Sequence, residues 1–390
     1  MRFIHSSDLH LRRDLTTPEG RTRYSAFKKV CESAKGADAL VLSGDLFDSN
    51  ADLRDVALTE KVATDLVALA PTVVIIIPGN HEGLGAPGAV EVPAALRRAV
   101  NLRCVFTPPF ERVEIAGVAF FAFPFAKGAS TLDLFKGLPP AAPGELRVGV
   151  LHGTAVDSTV APFAYGEDSE EEGGDMVIFD RDLAAAGFAY VALGHIHKPH
   201  RWAIKGGGVG GYPGSPCAMR VKEEEERGAL EVVLMPGVAA AVNFVPLATV
   251  RARREVVWVT PGQEEAAIAQ AEQFLSGQPR DILAAVYFEG LAERKKLDAA
   301  KDRLEALFLP NFELPPVVKT HHLEDIASLR GSPAERAYEA ILVSLKARVA
   351  EPNGPNVRLS SRAATLGWFA LAGGSKWFAG LEKKLGEGAQ

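Results

Sequence analysis

The sequence predicts an α/β protein, and three observations predict it. Short β-branched runs alternate with longer amphipathic stretches over the first two-thirds of the chain. Five short apolar runs are strand-length, and each hands directly to a polar side chain of metal-ligand type. The composition is that of ordinary globular protein: 390 residues, 47% hydrophobic and 24% charged. That is enough for two or three domains with proper cores, and it excludes a disordered chain, a collagen and a disulfide-dense miniature.

In chain order, Arg2–His5 leads into Asp8 and His10, and Ala39–Leu42 leads into Gly44-Asp45. The stretch Asp52–Leu69 carries Leu53, Val56, Val62, Leu66 and Leu69 at roughly helical spacing and predicts a helix. Val73–Ile77 leads into Pro78-Gly79-Asn80-His81, Val148–Leu151 into His152, and Tyr190–Leu193 into Gly194-His195-Ile196-His197. Sites in α/β sheets lie beyond the carboxyl ends of the strands, so five separated segments can converge on one place. Glu167–Asp175, acidic and glycine-rich, reads as a surface loop. Gly206-x-Gly208-x-x-Gly211 matches the dinucleotide fingerprint in form only. Tyr212-Pro213-Gly214-Ser215-Pro216 follows it and cannot open a helix, so a hairpin or loop is predicted.

After about Leu247 the pattern changes. Val256–Thr260, Ile282–Phe288 and Phe312–Lys319 read as strands, with helices over Glu264–Leu275 and Ala292–Leu307 between them. This β-α-β-α-β unit has no ligand-type junctions. The adjacent His321-His322 point apart on any regular element and are not expected to be ligands. A further helix is well signalled by Ser332 as N-cap, Pro333 at the first position and Glu335 completing a capping box. Beyond it come Trp368, Phe369, Trp377 and Phe378, aromatic anchors suited to packing on the body or to docking a partner. The expected division is a first domain over 1–247, a smaller α+β domain over 248–325 and a helical tail over 326–390.

Cys31, Cys104 and Cys217 are odd in number, far apart and without a Cys-x-x-Cys, which reads as reduced thiols. The opening residues turn polar at His5-Ser6-Ser7-Asp8 before a signal-type apolar core could form, and no apolar run is long enough to cross a bilayer. A soluble cytoplasmic protein with no membrane role is expected.

The junction residues Asp8, His10, Asp45, Asn80, His152, His195 and His197 combine two carboxylates, one amide and four imidazoles. A mixed O/N set suits Mn²⁺, Fe²⁺ or Zn²⁺ better than Mg²⁺ or Ca²⁺. Seven ligands are too many for one open catalytic ion and fit two ions sharing a bridging carboxylate. Such a pair can clamp an in-line displacement at phosphorus and activate a water as nucleophile. Each junction alone is a weak signal, since an isolated Gly-Asp is usually a turn. Five in order, each at a strand end, are hard to obtain by accident.

The order Asp-x-His, Gly-Asp-x-x-Asp, Gly-Asn-His-Glu, His, Gly-His-x-His resembles the calcineurin-like metallophosphoesterases. Within them it is most similar to the Mre11/SbcD nucleases of DNA double-strand-break repair, over about the first 250 residues. The resemblance rests on Ser7-Asp8-Leu9-His10-Leu11, Ser43-Gly44-Asp45-Leu46-Phe47-Asp48, Pro78-Gly79-Asn80-His81, Leu151-His152-Gly153 and Leu193-Gly194-His195-Ile196-His197-Lys198-Pro199. It implies a four-layer α/β/β/α sandwich followed by a smaller α+β capping domain. It also implies one ion on Asp8, His10, Asp45 and His197, and a second on Asp45, Asn80, His152 and His195, with Mn²⁺ the working metal. His81 would protonate the departing sugar oxygen, a role imidazole acidity suits. Asp48 and Glu82 would act beside the ligands, Glu82 standing where the family usually writes Asp. The implied partners are DNA, an SMC-like ATPase of Rad50/SbcC type docking on the tail, and a second copy of the chain. Dimer helices would fall in Asp52–Leu69 and Val92–Val100.

A metallophosphatase or small-molecule phosphodiesterase is the alternative, because Ser/Thr phosphatases also write Gly-Asn-His-Glu. Their second motif continues with Arg-Gly, however, where this chain has Ser49-Asn50. A scaffold that has lost its chemistry would be expected to lack ligands, and none is missing. The formal charge of −6 argues against a protein that coats nucleic acid. Ten acids sit in the loop Glu167–Asp175 and the run Glu223–Glu226, read as solvated faces, and setting them aside turns −6 into +4. Arg12, Arg13, Arg21 and Arg23, with Arg251, Arg253 and Arg254, are candidate DNA contacts.

Overall fold

A computed structural model of the chain describes residues 1–82, 91–156, 176–320, 323–325 and 327. The loop Glu167–Asp175, His321-His322 and the tail aromatics lie outside the described residues. The fold divides into two compact units, Met1–Ala252 and Arg253–Gln390.

The first unit is built on two six-stranded sheets. One contains β1 (Arg2–Ser6), β2 (Ala39–Ser43), β3 (Val73–Ile77) and β4 (Leu102–Cys104), parallel and in that order. The other centres on β6 (Val118–Ala122), β7 (Leu146–His152), β10 (Tyr190–Gly194) and β12 (Val209–Tyr212), also parallel, with β5 (Glu111–Ile115) antiparallel on β6. A two-stranded ribbon joins β8 (Thr154–Val156) to β9 (Val177–Phe179). Antiparallel strands complete the edges: β11 (His200–Ala203) on β12, and β13 (Gly228–Val233) with β14 (Ala241–Pro246) beside β1. The β11–β12 hairpin turns through Gly206–Gly208 and carries Gly211 within β12, so the fingerprint-like glycines open no helix.

Side-chain alternation makes the layers. Phe3, Val41 and Ile75 face Phe120, Val150 and Tyr190 across a dry interior shared by both sheets. The intervening residues Ile4, Leu40, Leu42 and Ile76 face the opposite way, onto Phe27 and Val30 of α1 (Pro18–Ala34) and Val62 and Leu66 of a second helix. On the outer face of the other sheet, Phe121, Val191 and Leu193 pack with Leu134 and Leu183 of two short helices. The result is the four-layer α/β/β/α sandwich.

The stretch Asp52–Leu69, expected as one helix, is two: α2 (Asn50–Leu53) and α3 (Val56–Val67). The break is a capping event. The Asp55 carboxylate accepts from Leu58 N at 2.8 Å and starts a new helix, because aspartate satisfies the unpaired amides of a first turn better than it sits mid-helix. Further along come α4 (Ala94–Arg98), α5 (Thr131–Leu134) and α6 (Asp180–Ala186).

In the second unit, β15 (Arg251–Val259), β16 (Ile282–Ala292) and β17 (Val317–Lys319) are neighbours, and β18 (Leu323–Asp325) extends the pairing along β16. The helices α7 (Glu264–Ser276) and α8 (Arg294–Phe308) bury Ile268, Leu275, Leu297 and Leu304 against Val257, Val286 and Phe288. The strand expected over Phe312–Lys319 is confined to its last three residues. A 3₁₀ turn at Leu309–Asn311 and the two prolines Pro315-Pro316 delay it, since proline cannot donate to a ladder.

Candidate metal centre

Register brings the motif ends level. Ser6 of β1 pairs with Leu42, Ser43 of β2 with Ile77, and His152 of β7 with Gly194 of β10, so five chain exits open side by side. The exits turn sharply. Asp8, His10, Asp45 and His195 have φ of 53°, 47°, 51° and 101°, and Ala116 is the one other non-glycine with positive φ among the described residues. Each such conformation costs about 1–3 kcal/mol and tends to persist at functional sites. Two glycines allow the approach. A Cβ at Gly79 would lie 2.1 Å from Asp45 Oδ1, and one at Gly44 would lie 2.2 Å from His152 Nδ1.

All seven expected ligands meet here. Ligand atoms of Asp8, His10 and His197 lie within 4.8 Å of one another, as do those of Asp8, Asp45 and His152. His10 Nε2 is 3.1 Å from His197 Nε2 and 3.8 Å from Asp45 Oδ2. His152 Nε2 is 2.9 Å from Asn80 Oδ1 and 3.2 Å from Asp45 Oδ2, and His195 Nδ1 is 3.2 Å from the same Asn80 oxygen. Asp8 thus reaches both groups alongside Asp45.

Three imidazoles are oriented through Nδ1. His152 Nδ1 donates to the Ser43 carbonyl at 2.9 Å, His197 Nδ1 to Glu223 Oε1 at 2.8 Å, and His81 Nδ1 to the Asp48 carbonyl at 3.1 Å. Carbonyls and carboxylates only accept, so Nδ1 carries the proton and each Nε2 is the nitrogen turned to the chemistry. The His81 amide also donates to Asp45 Oδ1 at 3.0 Å, which fixes its ring edge-on to His10 with centroids 4.5 Å apart.

Asp48 and Glu82 stand beside this group. Asp48 accepts from Arg12 Nε at 2.8 Å and Arg23 Nη1 at 2.6 Å, and its Oδ1 lies 3.4 Å from His10 Nδ1. Burial would raise the Asp48 carboxyl, but His10 and Arg23 hold it well below the usual range. His10, Asp48 and His81 form a third close group, yet two guanidiniums already balance Asp48. Glu82 is fully buried and accepts from Phe47 N at 3.0 Å and Gly79 N at 2.6 Å, clasping the second motif to the third. Burial and then the Asp45 charge push its carboxyl up to about 8.

The charge balance fits divalent cations. Asp8 is fully buried and Asp45 is 2% exposed, and among the described residues neither pairs with a lysine or arginine. Two buried carboxylates with no lysine or arginine to balance them are costly, and imidazoles crowd the same point. Burial disfavours the charged forms of Asp45 and His152, but each answers the other. Asp45 is held far below the usual carboxylate range, and His152 is raised to about 9. His10 is lowered, burial outweighing its carboxylate neighbours.

One residue beside the candidate ligands is hidden from sequence reasoning. Glu223 reads with Glu224–Glu226 as part of a solvated acidic run, but it is 5% exposed and is the partner of His197. Burial would raise its carboxyl; His197 and Arg227 bring it down to about 2. Nothing in four consecutive acids singles out the first.

The family model for the calcineurin-like phosphoesterases matches residues 1–230. The chain is 27% identical over 247 residues to the uncharacterized metallophosphoesterase YhaO of Bacillus subtilis (strain 168), covering 58% of this chain and 55% of that protein. It is 26% identical over 254 residues to the DNA double-strand break repair protein Mre11 of Methanopyrus kandleri, covering 59% and 52%. With the SbcD component of the nuclease SbcCD of Bacillus subtilis (strain 168) it shares 25% over 284 residues, covering 64% and 70%. The chain therefore spans about half the length of the first two of these relatives. With the sandwich, the strand-end cluster and a family match over more than half of its length, the chain belongs to the calcineurin-like phosphoesterase family.

Proposed function

We propose that the chain is a Mn²⁺-dependent DNA nuclease that hydrolyses phosphodiesters at or near duplex ends. The observation that carries this reading is the placing of His81 beside the cluster, with its amide on Asp45 and Nδ1 on the Asp48 carbonyl. One cation would be held by Asp8, His10, Asp45 and His197, the other by Asp45, Asn80, His152 and His195. Bound there, the ions would supply positive charge to the phosphoryl oxygens and lower the pKa of an attacking water. The residues do the rest. Asp45 links the two halves, Asn80 aligns with His152, and Glu82 keeps the second and third motifs in register. As the imidazolium, His81 would keep its Nδ1–H on the Asp48 carbonyl and release the Nε2 proton to the departing sugar oxygen.

DNA as substrate is supported by the two relatives named for double-strand break repair and for nuclease activity. By the same likeness we propose an SMC-like ATPase partner of Rad50/SbcC type, docking on 326–390. A homodimer through Asp52–Leu69 and Val92–Val100, the segments that hold α3 and α4, is supported by Val56, Val67 and Val100, which are 72%, 41% and 82% exposed. Membrane attachment is not part of the proposal, and among the described residues no helix is long and apolar enough to cross a membrane.

The test is a Mn²⁺-dependent assay offering linear duplex DNA, a small phosphodiester and a phosphomonoester side by side. The expected result is cleavage of the duplex, lost on His81→Ser with the ions still bound. Cleavage of the monoester alone would overturn the nuclease reading in favour of a phosphatase.

A further inference from the structure

We propose that Glu223 is a positioning residue that sets His197 for cation binding, as one half of a buried clamp completed by Arg227. The inference rests on the reading of His197 as a cation ligand. It lies outside the strand-end motifs, on the segment leading to β13.

Glu223 Oε1 accepts a hydrogen bond from His197 Nδ1–H at 2.8 Å, while Oε2 accepts from Met219 N at 2.8 Å and lies 3.4 Å from Ser215 Oγ. Arg227 is fully buried, with Nη1 3.9 Å from Glu223 Oε2. The same Nη1 donates to the His197 carbonyl at 2.6 Å and to Ser215 Oγ at 3.2 Å. One ion pair therefore holds His197 at both its ring and its main chain. A carboxylate can only accept, so it selects the Nδ1–H tautomer and leaves the Nε2 lone pair directed at Asp8 and His10. In the other tautomer Nε2 would carry the proton and could not bind a cation. An amide at this position could present either its oxygen or its NH₂ and would lose that selection. Arg227 also bonds Glu225 Oε2 at 3.1 Å, so removing the Glu223 carboxylate does not leave the guanidinium alone.

The experiment is calorimetric titration of the full chain with Mn²⁺ alone, comparing wild type, Glu223→Ala, Glu223→Gln and His197→Ala. The expected result is two sites in wild type. Both Glu223 variants should lose about 10–100-fold in affinity at one site, the site that His197→Ala abolishes, and keep the other within about twofold. Nitrogen NMR of the His197 ring should show Nδ1–H in wild type and a mixture of tautomers in Glu223→Gln. If Glu223→Ala fails to fold, Glu223→Gln carries the comparison. Wild-type affinities in the Glu223 variants, with one site lost in His197→Ala, would overturn the clamp and leave the ligand reading standing. Two intact sites in His197→Ala would overturn the ligand reading and the clamp with it. Equal weakening of both sites with a lowered melting temperature would reduce Glu223 to a packing role and also overturn the proposal.

Discussion

His5 ties the two sheets together beside the candidate metal centre. Its Nδ1 is 2.8 Å from Tyr190 Oη on the far sheet, and its Nε2 is 2.8 Å from Ser43 Oγ on its own. The Ser43 carbonyl meanwhile orients His152. Burial pushes the His5 imidazole down to about 3 from its ordinary 6.5, so the folded chain keeps it neutral while the unfolded chain protonates it. Stability from this residue is complete above pH 6.5 and is lost as pH falls toward 3, at up to about 1.4 kcal/mol per unit. Urea unfolding at pH 7, 6 and 5 should therefore show a steeper acid loss in wild type than in His5→Gln, by about 1 kcal/mol per unit. Parallel lines would contradict it. The range stays above the Glu223 contribution, which is present above the ordinary glutamate value of 4.5 and fades as pH falls toward about 2.

At the scale of the elements, α3 shows which positions carry the fold. Leu66 is fully buried against the outer face of the first sheet, whereas Val56 at the start of the same helix is 72% exposed. Leu66→Ala should cost about 2–5 kcal/mol, and Val56→Ala should fall within about 0.5 kcal/mol of wild type in dilute protein. Denaturant melts of both variants check this, and a large loss in Val56→Ala would show that face to be covered. The helix also marks where sequence reading stops. Its apolar spacing is legible, but the Asp55 cap that splits it is hidden because one acid in a periodic stretch looks like a solvent-facing position. The candidate ligands are legible for a physical reason: each follows a short run of strand length, and sites in α/β sheets collect beyond the carboxyl ends of the strands. Glu223 is not, because its burial depends on Arg227 and on the return of the chain past His197, contacts that local pattern does not encode.

For the molecule as a whole, the net charge of −6 needs a narrower reading. Glu223 leaves the solvated acids, since His197 and Arg227 answer it inside the fold. Arg12 and Arg23 are engaged by Asp48, so they are weaker candidates for DNA than Arg251, Arg253 and Arg254, which are exposed. With Arg12 and Arg23 engaged in this way, the nuclease proposed above is expected to hold DNA weakly alone and with strong salt dependence. The partners proposed above would supply the grip that its own charge does not.

The proposed function rests on the strand ends of two sheets forming one centre for two ions, a proposal that the candidate ligand groups support. Anomalous diffraction from crystals soaked in Mn²⁺ tests that most directly. Two peaks about 3.5–4 Å apart are expected, one within Asp8, His10, Asp45 and His197 and the other within Asp45, Asn80, His152 and His195. A single peak, or ions held away from these residues, would contradict it.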